Sequence, residues 1–271
     1  MTDNGAPRGV DTSRPSVARM YDYYLGGKDN FAVDREAAEQ AIGAFPEVPA
    51  LARGNRAFLG RVVRFLAGER GIRQFIDLGT GVPTVGNVHE VAHQAAPGAR
   101  VVYVDNDAVV LTHARALLED SGHGDSVTVI DADMRDPTSV LDHPDLSRVI
   151  DLSQPVAVLF VSVLHFITSD PAEITRAYRD VAVPGSSLAL SHLSYGTVDH
   201  SEVDEAADRV YGSTASGLVS RSPEEITGLF SGFDLVPPGL VPVSEWRPDP
   251  GQKDEPTRLQ ILGGVGRKDD S

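Results

Sequence analysis

The chain contains no cysteine, which excludes disulfides, structural thiolate zinc sites and thiol catalysis and fits a reducing cytosol. Basic residues are scarce as well. With 24 Lys and Arg against 39 Asp and Glu the formal charge is -15, so the summed field repels nucleic acid backbones and anionic membrane surfaces. Long apolar runs are missing: the longest, Pro155 to Ile167, carries Ser162 and His165 and is too short to span a bilayer. The first 16 residues are polar and hold no apolar core segment, so they read as a disordered tail, residues 1–15, and not as a secretory signal. A soluble cytoplasmic protein is expected, with no membrane or nucleic acid partner.

What is present suits one main domain, since 271 residues with 41% hydrophobic content can bury a substantial core. From Ser16, the residues Val17, Met20, Tyr21, Tyr24 and Leu25 recur at helical spacing until Gly26 and Gly27. Further helices are predicted over Val33 to Ala44 and Pro49 to Ala67, so residues 16–70 form a helical cap. The pattern then alternates. Short β-prone runs at Gln74 to Leu78, Arg100 to Val104, Ser126 to Ile130, Val156 to Val161 and Ser187 to Ser191 are separated by helical stretches, Thr84 to Ala95, Asp107 to Glu119, Thr138 to Leu146 and Asp170 to Val181, which implies parallel strands with crossover helices. An inserted helix is predicted at Asp199 to Tyr211, within an insertion spanning about residues 195–220, and another begins at Ser222. Asp234 to Val243 and Arg258 to Val265 are predicted to pair antiparallel through a long loop, Ser244 to Pro256, because no helix fits between them. The domain proper runs over 71–268.

Four polar clusters fall at the ends of four successive strands, where open α/β sheets bind their ligands. The first, Asp77-Leu78-Gly79-Thr80-Gly81-Val82-Pro83, is a glycine turn that lets backbone amides approach a ligand beside a helix N-terminus. Thr84 interrupts G-x-G-x-x-G, so a cofactor without a pyrophosphate fits better than a dinucleotide. The second, Asp105 with Asn106, suits the two hydroxyls of a ribose. In the third, Asp133 can accept from an exocyclic amine while Met134 packs on an adenine face. The fourth is Ser162-Val163-Leu164-His165-Phe166.

Together these residues resemble the class I S-adenosylmethionine-dependent methyltransferases. The stretch Ser16 to Asn30 and the segment Arg53-Gly54-Asn55-Arg56-Ala57-Phe58-Leu59 further resemble an actinobacterial methyltransferase group first catalogued as a domain of unknown function. The resemblance covers about Ser16 to Val265 and implies a Rossmann-like, seven-stranded, mostly parallel sheet with an antiparallel last strand. It places Asp77, Gly79, Thr80 and Gly81 near the methionine moiety of S-adenosylmethionine, Asp105 and Asn106 at the ribose, Asp133 and Met134 at the adenine, and Ser162 and His165 facing the reacting methyl. Pro83, where a third glycine is common, and the long interval from Gly79 to Asp105 depart from the general class.

Arg19, Tyr23 and Tyr24 form a polar and aromatic cluster expected, with Tyr195, to shape a substrate pocket; the acceptor is expected to be a small molecule. Methyl transfer needs positioning and water exclusion more than proton transfer. Where a base is useful, His165 and Tyr24 are the leading candidates, with His192 and Tyr195 behind them. His89-Glu90-Val91-Ala92-His93 matches H-E-x-x-H, but no third ligand follows at the right spacing, so no metal site is expected and both imidazoles read as polar positions on a half-exposed helix. Alternatives are a non-catalytic S-adenosylmethionine or S-adenosylhomocysteine sensor, an NAD-dependent oxidoreductase and a zinc hydrolase. Arg53, Arg56, Arg61 and Arg64 are a candidate basic patch on the third helix.

Overall fold

Five parallel strands and one long antiparallel strand carry the fold. They are β1 (Gln74–Leu78), β2 (Arg100–Asp105), β3 (Val127–Asp131), β4 (Ala157–Val161), β5 (Ser187–Ser194) and β8 (Gln260–Arg267), with β6 (Asp234–Leu235) and β7 (Val241–Pro242) as short segments beside β8. The order is β3-β2-β1-β4-β5-β8-β6, and β7 also pairs with β8. In this computed structural model, residues 11–84, 86–121, 124–212, 214, 216–251 and 257–269 are described.

The crossover helices are α4 (Val88–Ala95), α5 (Ala108–Ser121), α6 (Pro137–Leu141), α7 (Pro144–Val149) and α8 (Pro171–Val181). Alternate residues of the central strands feed two cores: Phe75, Val101 and Leu159 pack with Phe58, Val62 and Ala92 on one face. Ile76, Val102 and Phe160 pack with Leu146, Ile174 and Tyr178 on the other. Such strands read as continuous apolar runs because both faces are covered.

The N-terminal cap consists of α1 (Val17–Tyr24), α2 (Ala32–Ala44) and α3 (Val48–Arg64). Met20, Tyr24, Ala38, Ala41 and Ala52 meet Val210 of the inserted helix α9 (His200–Tyr211) in a third cluster. Helix α10 (Pro223–Gly228) follows, opened by a reciprocal Ser222–Glu225 cap.

Three expectations are corrected. The single strand at Asp234 to Val243 is two short ones, because Pro237 and Pro238 lack the N–H that a ladder needs. The helix expected at Thr138 to Leu146 is α6 and α7, interrupted before Pro144. Helix α4 begins at Val88, not Thr84: Glu90 accepts from the amides of Gly86 and Asn87, and Asn87 accepts from that of Thr84. Within the first turn of the helix the His89 amide donates to the Tyr103 hydroxyl, and the glycine turn stands apart from this N-terminus.

Of the expected tail, residues 1–10 lie outside the described residues, and 11–15 have a defined place over the sheet edge, described below. Residues 252–256 of the long loop are also outside the described set. Among the described residues no helix is long and apolar enough to cross a membrane.

Candidate functional site

The four strand-end clusters surround one cavity of about 500 Å³ at the carboxyl edge of the sheet. Asp77, Gly79, Thr80 and Gly81 line it from β1, Asp105 and Asn106 from β2, Asp133 and Met134 from β3, and Ser162 from β4. Gly79 has φ +70°, and a Cβ there would lie 2.3 Å from the Val163 side chain, so both backbone and space demand glycine. Gly81, at φ +69°, presents its open side with nothing nearby.

Asp105 does more than face a ligand. Its carboxylate accepts from the Gly81 amide at 2.9 Å and the Asp107 amide at 2.9 Å, locking the β1 turn to the end of β2. Burial raises its pKa to about 6 despite those bonds. Asp77 is buried and is pushed up to about 7 by desolvation, with Arg56 pulling the other way. Two desolvated carboxylates facing one cavity are electrostatically unfinished, and a cation beside them favours their ionised forms.

Asp133 sits nearer the rim. Arg135 grips both its oxygens, at 2.9 and 2.8 Å from Nε, and this hydrogen bonding holds the carboxyl below its ordinary pKa. Ser162 has φ +55°, a conformation unusual for a residue with a side chain, and its buried Oγ has no hydrogen-bond partner among the described residues.

Arg19 lines this cavity as part of its roof. Buried, it bonds Asp34 at 2.8 Å and lies 3.7 Å from Asp107, while Nη2 donates to the carbonyls of Asp11 and Arg14. Ser16 adds a bond from Oγ to Asp107 at 2.5 Å. Residues 11–19 are thus strapped across the opening, which corrects the reading of 11–15 as loose tail.

Other candidates fall elsewhere. Tyr24 lines a second, smaller cavity, its hydroxyl 3.1 Å from that of Tyr211, and burial raises its pKa far above 10. His165 lines that cavity too. Its Nδ1 accepts from the Leu193 amide at 3.2 Å, which assigns the ring proton to Nε2, and burial with His192 and Arg221 nearby depresses its pKa well below 6.5. Both groups are engaged beside the smaller cavity, the His165 Nδ1 lone pair by the Leu193 amide and the Tyr24 hydroxyl by Tyr211, and these contacts assign neither a proton-abstracting role.

Tyr23 bonds Glu39, and Tyr195 packs on the His200 ring, their centroids 5.0 Å apart; neither is among the described residues lining either cavity, so a pocket role for them is corrected. His192 is committed to Leu193 O and Arg221, with a pKa lowered to about 4 by burial. The H-E-x-x-H residues have structural partners: His89 is buried against the Tyr103 hydroxyl at 2.7 Å, so it is not half-exposed, and His93 meets the Ala99 carbonyl at 2.7 Å. Among the described residues no group of three His, Cys, Asp or Glu could hold a metal.

The α3 arginines form no patch. Arg61 is buried against the carbonyls of Trp246 and Val243, Arg64 pairs with Asp249, and Arg56 lines the large cavity. Arg56 donates to Gly86 O and Asn87 Oδ1, while its buried Nε has no partner among the described residues.

Sequence reasoning missed Tyr21, Asn55 and Ser191. Ser162 N donates to Ser191 Oγ, Ser191 Oγ to Asn55 Oδ1, Asn55 Nδ2 to Tyr21 Oη, and Tyr21 Oη to the Ala52 carbonyl, a continuous chain of hydrogen bonds from the end of β4 to the cap helices. Asn55 lies in the quoted Arg53 to Leu59 segment, and that was the available signal.

Comparison with known proteins agrees with this geometry. A family model described as S-adenosyl methyltransferase matches residues 3–269. A candidate methyltransferase from Thermobifida fusca is 44% identical, aligned over 98% of this chain and 99% of its own, with a TM-score of 0.90. A DUF574 family protein from Streptomyces avermitilis is 40% identical over 95% and 99%, with a TM-score of 0.86. A geranyl diphosphate methyltransferase in complex with SAM shares the fold alone, with 14% identity over 77% and 85% and a TM-score of 0.52. No curated protein matches. The seven sheet positions and the antiparallel β8 are those of a Rossmann-like class I methyltransferase, and the chain belongs to the S-adenosyl methyltransferase family.

Proposed function

We propose that the chain binds S-adenosylmethionine in the large cavity and transfers its methyl group to a small-molecule acceptor. The observation that carries this reading is the convergence of four strand-end clusters on one cavity holding two carboxylates, buried Asp77 and half-buried Asp105, whose pKa values desolvation raises to about 7 and about 6. A ligand bearing an ammonium and a sulfonium supplies the missing positive charge. Arg56, with its unpartnered Nε, complements the carboxylate of an amino acid tail beside Asp77.

Asp105 and Asn106 would take the ribose hydroxyls, using carboxylate lone pairs left by the two amides. Asp133 and Met134 would hold the adenine at the rim. When bound, the sulfonium supplies an electrophilic methyl carbon. The residues' own work is positioning and drying: the Gly79–Gly81 turn is fixed by Asp105, and the strap of residues 11–19 covers the opening.

Parallel calorimetric titrations with S-adenosylmethionine, S-adenosylhomocysteine and NAD test the reading. Micromolar binding of the first two is expected; binding of NAD alone overturns it in favour of a dinucleotide enzyme.

A further inference from the structure

Next to the large cavity lies a second of about 90 Å³, and the two share Tyr21, Ser162 and Phe166 as walls. Its surroundings come from distant parts of the chain: α1, α2 and α3 of the cap, α9 of the insertion, the turn after β4, and β8. No Asp, Glu, Lys, Arg, Asn or Gln is among the described residues that line it. Polar side chains there are four hydroxyls, those of Tyr21, Tyr24, Tyr211 and Ser162, together with His165.

Most of these polar groups are already occupied. Tyr24 and Tyr211 bond each other, Tyr21 is bonded to Ala52 O and Asn55, and His165 Nδ1 is taken by Leu193 N. Ser162 Oγ is buried without a partner among the described residues, and it sits on the wall common to both cavities. An orphaned hydroxyl in a strained residue at that junction is poised for a ligand atom.

We infer that the second cavity seats the apolar body of an uncharged methyl acceptor, with its nucleophilic atom directed toward Ser162 Oγ at the junction with the cofactor cavity. This deepens the methyltransferase reading and rests on it. A charged acceptor is excluded because nothing in the lining would compensate an ion taken out of water. Size narrows the class further: a cavity of roughly 150 Å³ accepts benzene, so 90 Å³ admits a short aliphatic chain or the edge of a ring.

In the transfer, a lone pair on the acceptor forms the bond to the methyl carbon, the electron pair of the broken carbon–sulfur bond remains on sulfur, and any proton lost by the acceptor passes to water.

The test uses the full chain saturated with S-adenosylhomocysteine and titrated with butanol, butyrate and butylammonium, with binding read by saturation-transfer NMR. Butanol is expected to bind at least fivefold more tightly than either ion. Ala207→Leu narrows the second cavity from α9, and Ala207 is not among the described residues lining the large one, so the change should weaken butanol at least fivefold while S-adenosylhomocysteine affinity stays within twofold. Val203→Ala enlarges the same cavity and should tighten hexanol relative to butanol, which keeps the inference testable if the leucine variant fails to fold. Equal binding of the three probes, or butanol affinity unmoved in both variants, overturns the inference while leaving cofactor binding intact. Failure of S-adenosylhomocysteine to bind the wild-type chain removes the parent reading and this one with it.

Discussion

The two cavities meet at Ser162 and obey opposite rules. The larger is built from the ends of parallel strands and is crowded with charge: Asp77, Asp105, Asp107 and Asp133 against Arg19, Arg56 and Arg135. The smaller is built from helix faces and has no charged residue in its described lining. Strand ends bring polar loops to one edge by topology alone, whereas an apolar seat needs helices from separate parts of the chain to pack together. On the proposed function, recognition of the cofactor and selection of the acceptor fall to different layers of the fold.

Variants can break that division of labour. The largest effect is expected from Arg19→Ala, which removes the counter-charge of buried Asp34, leaving it only the Ser16 and Phe31 amides, and releases the strap; a loss of about 3–5 kcal/mol is anticipated, read as a lowered Tm. Asp105→Ala frees the Gly81 and Asp107 amides and should cost about 2–4 kcal/mol of cofactor affinity, roughly 30- to 1000-fold by calorimetry. If butanol binding survives that change, the two cavities are energetically separate.

Asp77→Asn should weaken S-adenosylmethionine binding by about 1–3 kcal/mol, roughly 5- to 150-fold. The same change tests linkage. The folded pKa of about 7 lies above the ordinary 3.8, so the folded chain retains a proton that the unfolded chain has lost, and stability of the ligand-free protein falls as pH rises from about 4 to 7. Cofactor binding, which favours the ionised form, should strengthen over the rise from pH 6 to 8. Thermal melts and titrations across that range should show both slopes flattened in the asparagine variant. The smallest effect is expected for Tyr24→Phe, which breaks one hydroxyl pair in the apolar cavity: about 1 kcal/mol in stability, with cofactor affinity unchanged.

The difference between the cavities also explains what could be read in the sequence. Asp77, Gly79, Asp105, Asp133 and Ser162 were legible because strand-end placement follows from local pattern and chain order. The smaller cavity was not, since it brings Tyr24 of α1 against Tyr211 of α9, 187 positions apart, and no periodicity announces that contact. On α1, Tyr23 and Tyr24 look alike in sequence; adjacent helical positions face differently, and Tyr24 is buried while Tyr23 reaches out to Glu39. Arg19 read as a substrate contact because its partners, the acceptors on Asp11, Arg14 and Asp34 and the ion pair with Asp107, are scattered along the chain. The start of α4 could have been placed better, for Asn87 and Glu90 have capping-box spacing.

Asp107 bears on how such enzymes could be re-engineered. One of its oxygens receives the Val109 amide that begins α5, and the other receives Ser16 and faces Arg19. Floor and roof therefore hang from a single carboxylate. A helical cap transplanted onto another sheet would arrive with a buried guanidinium missing one of its counter-charges unless that aspartate travelled with it, so exchanging acceptor specificity by swapping caps requires carrying the β2–α5 turn as part of the graft.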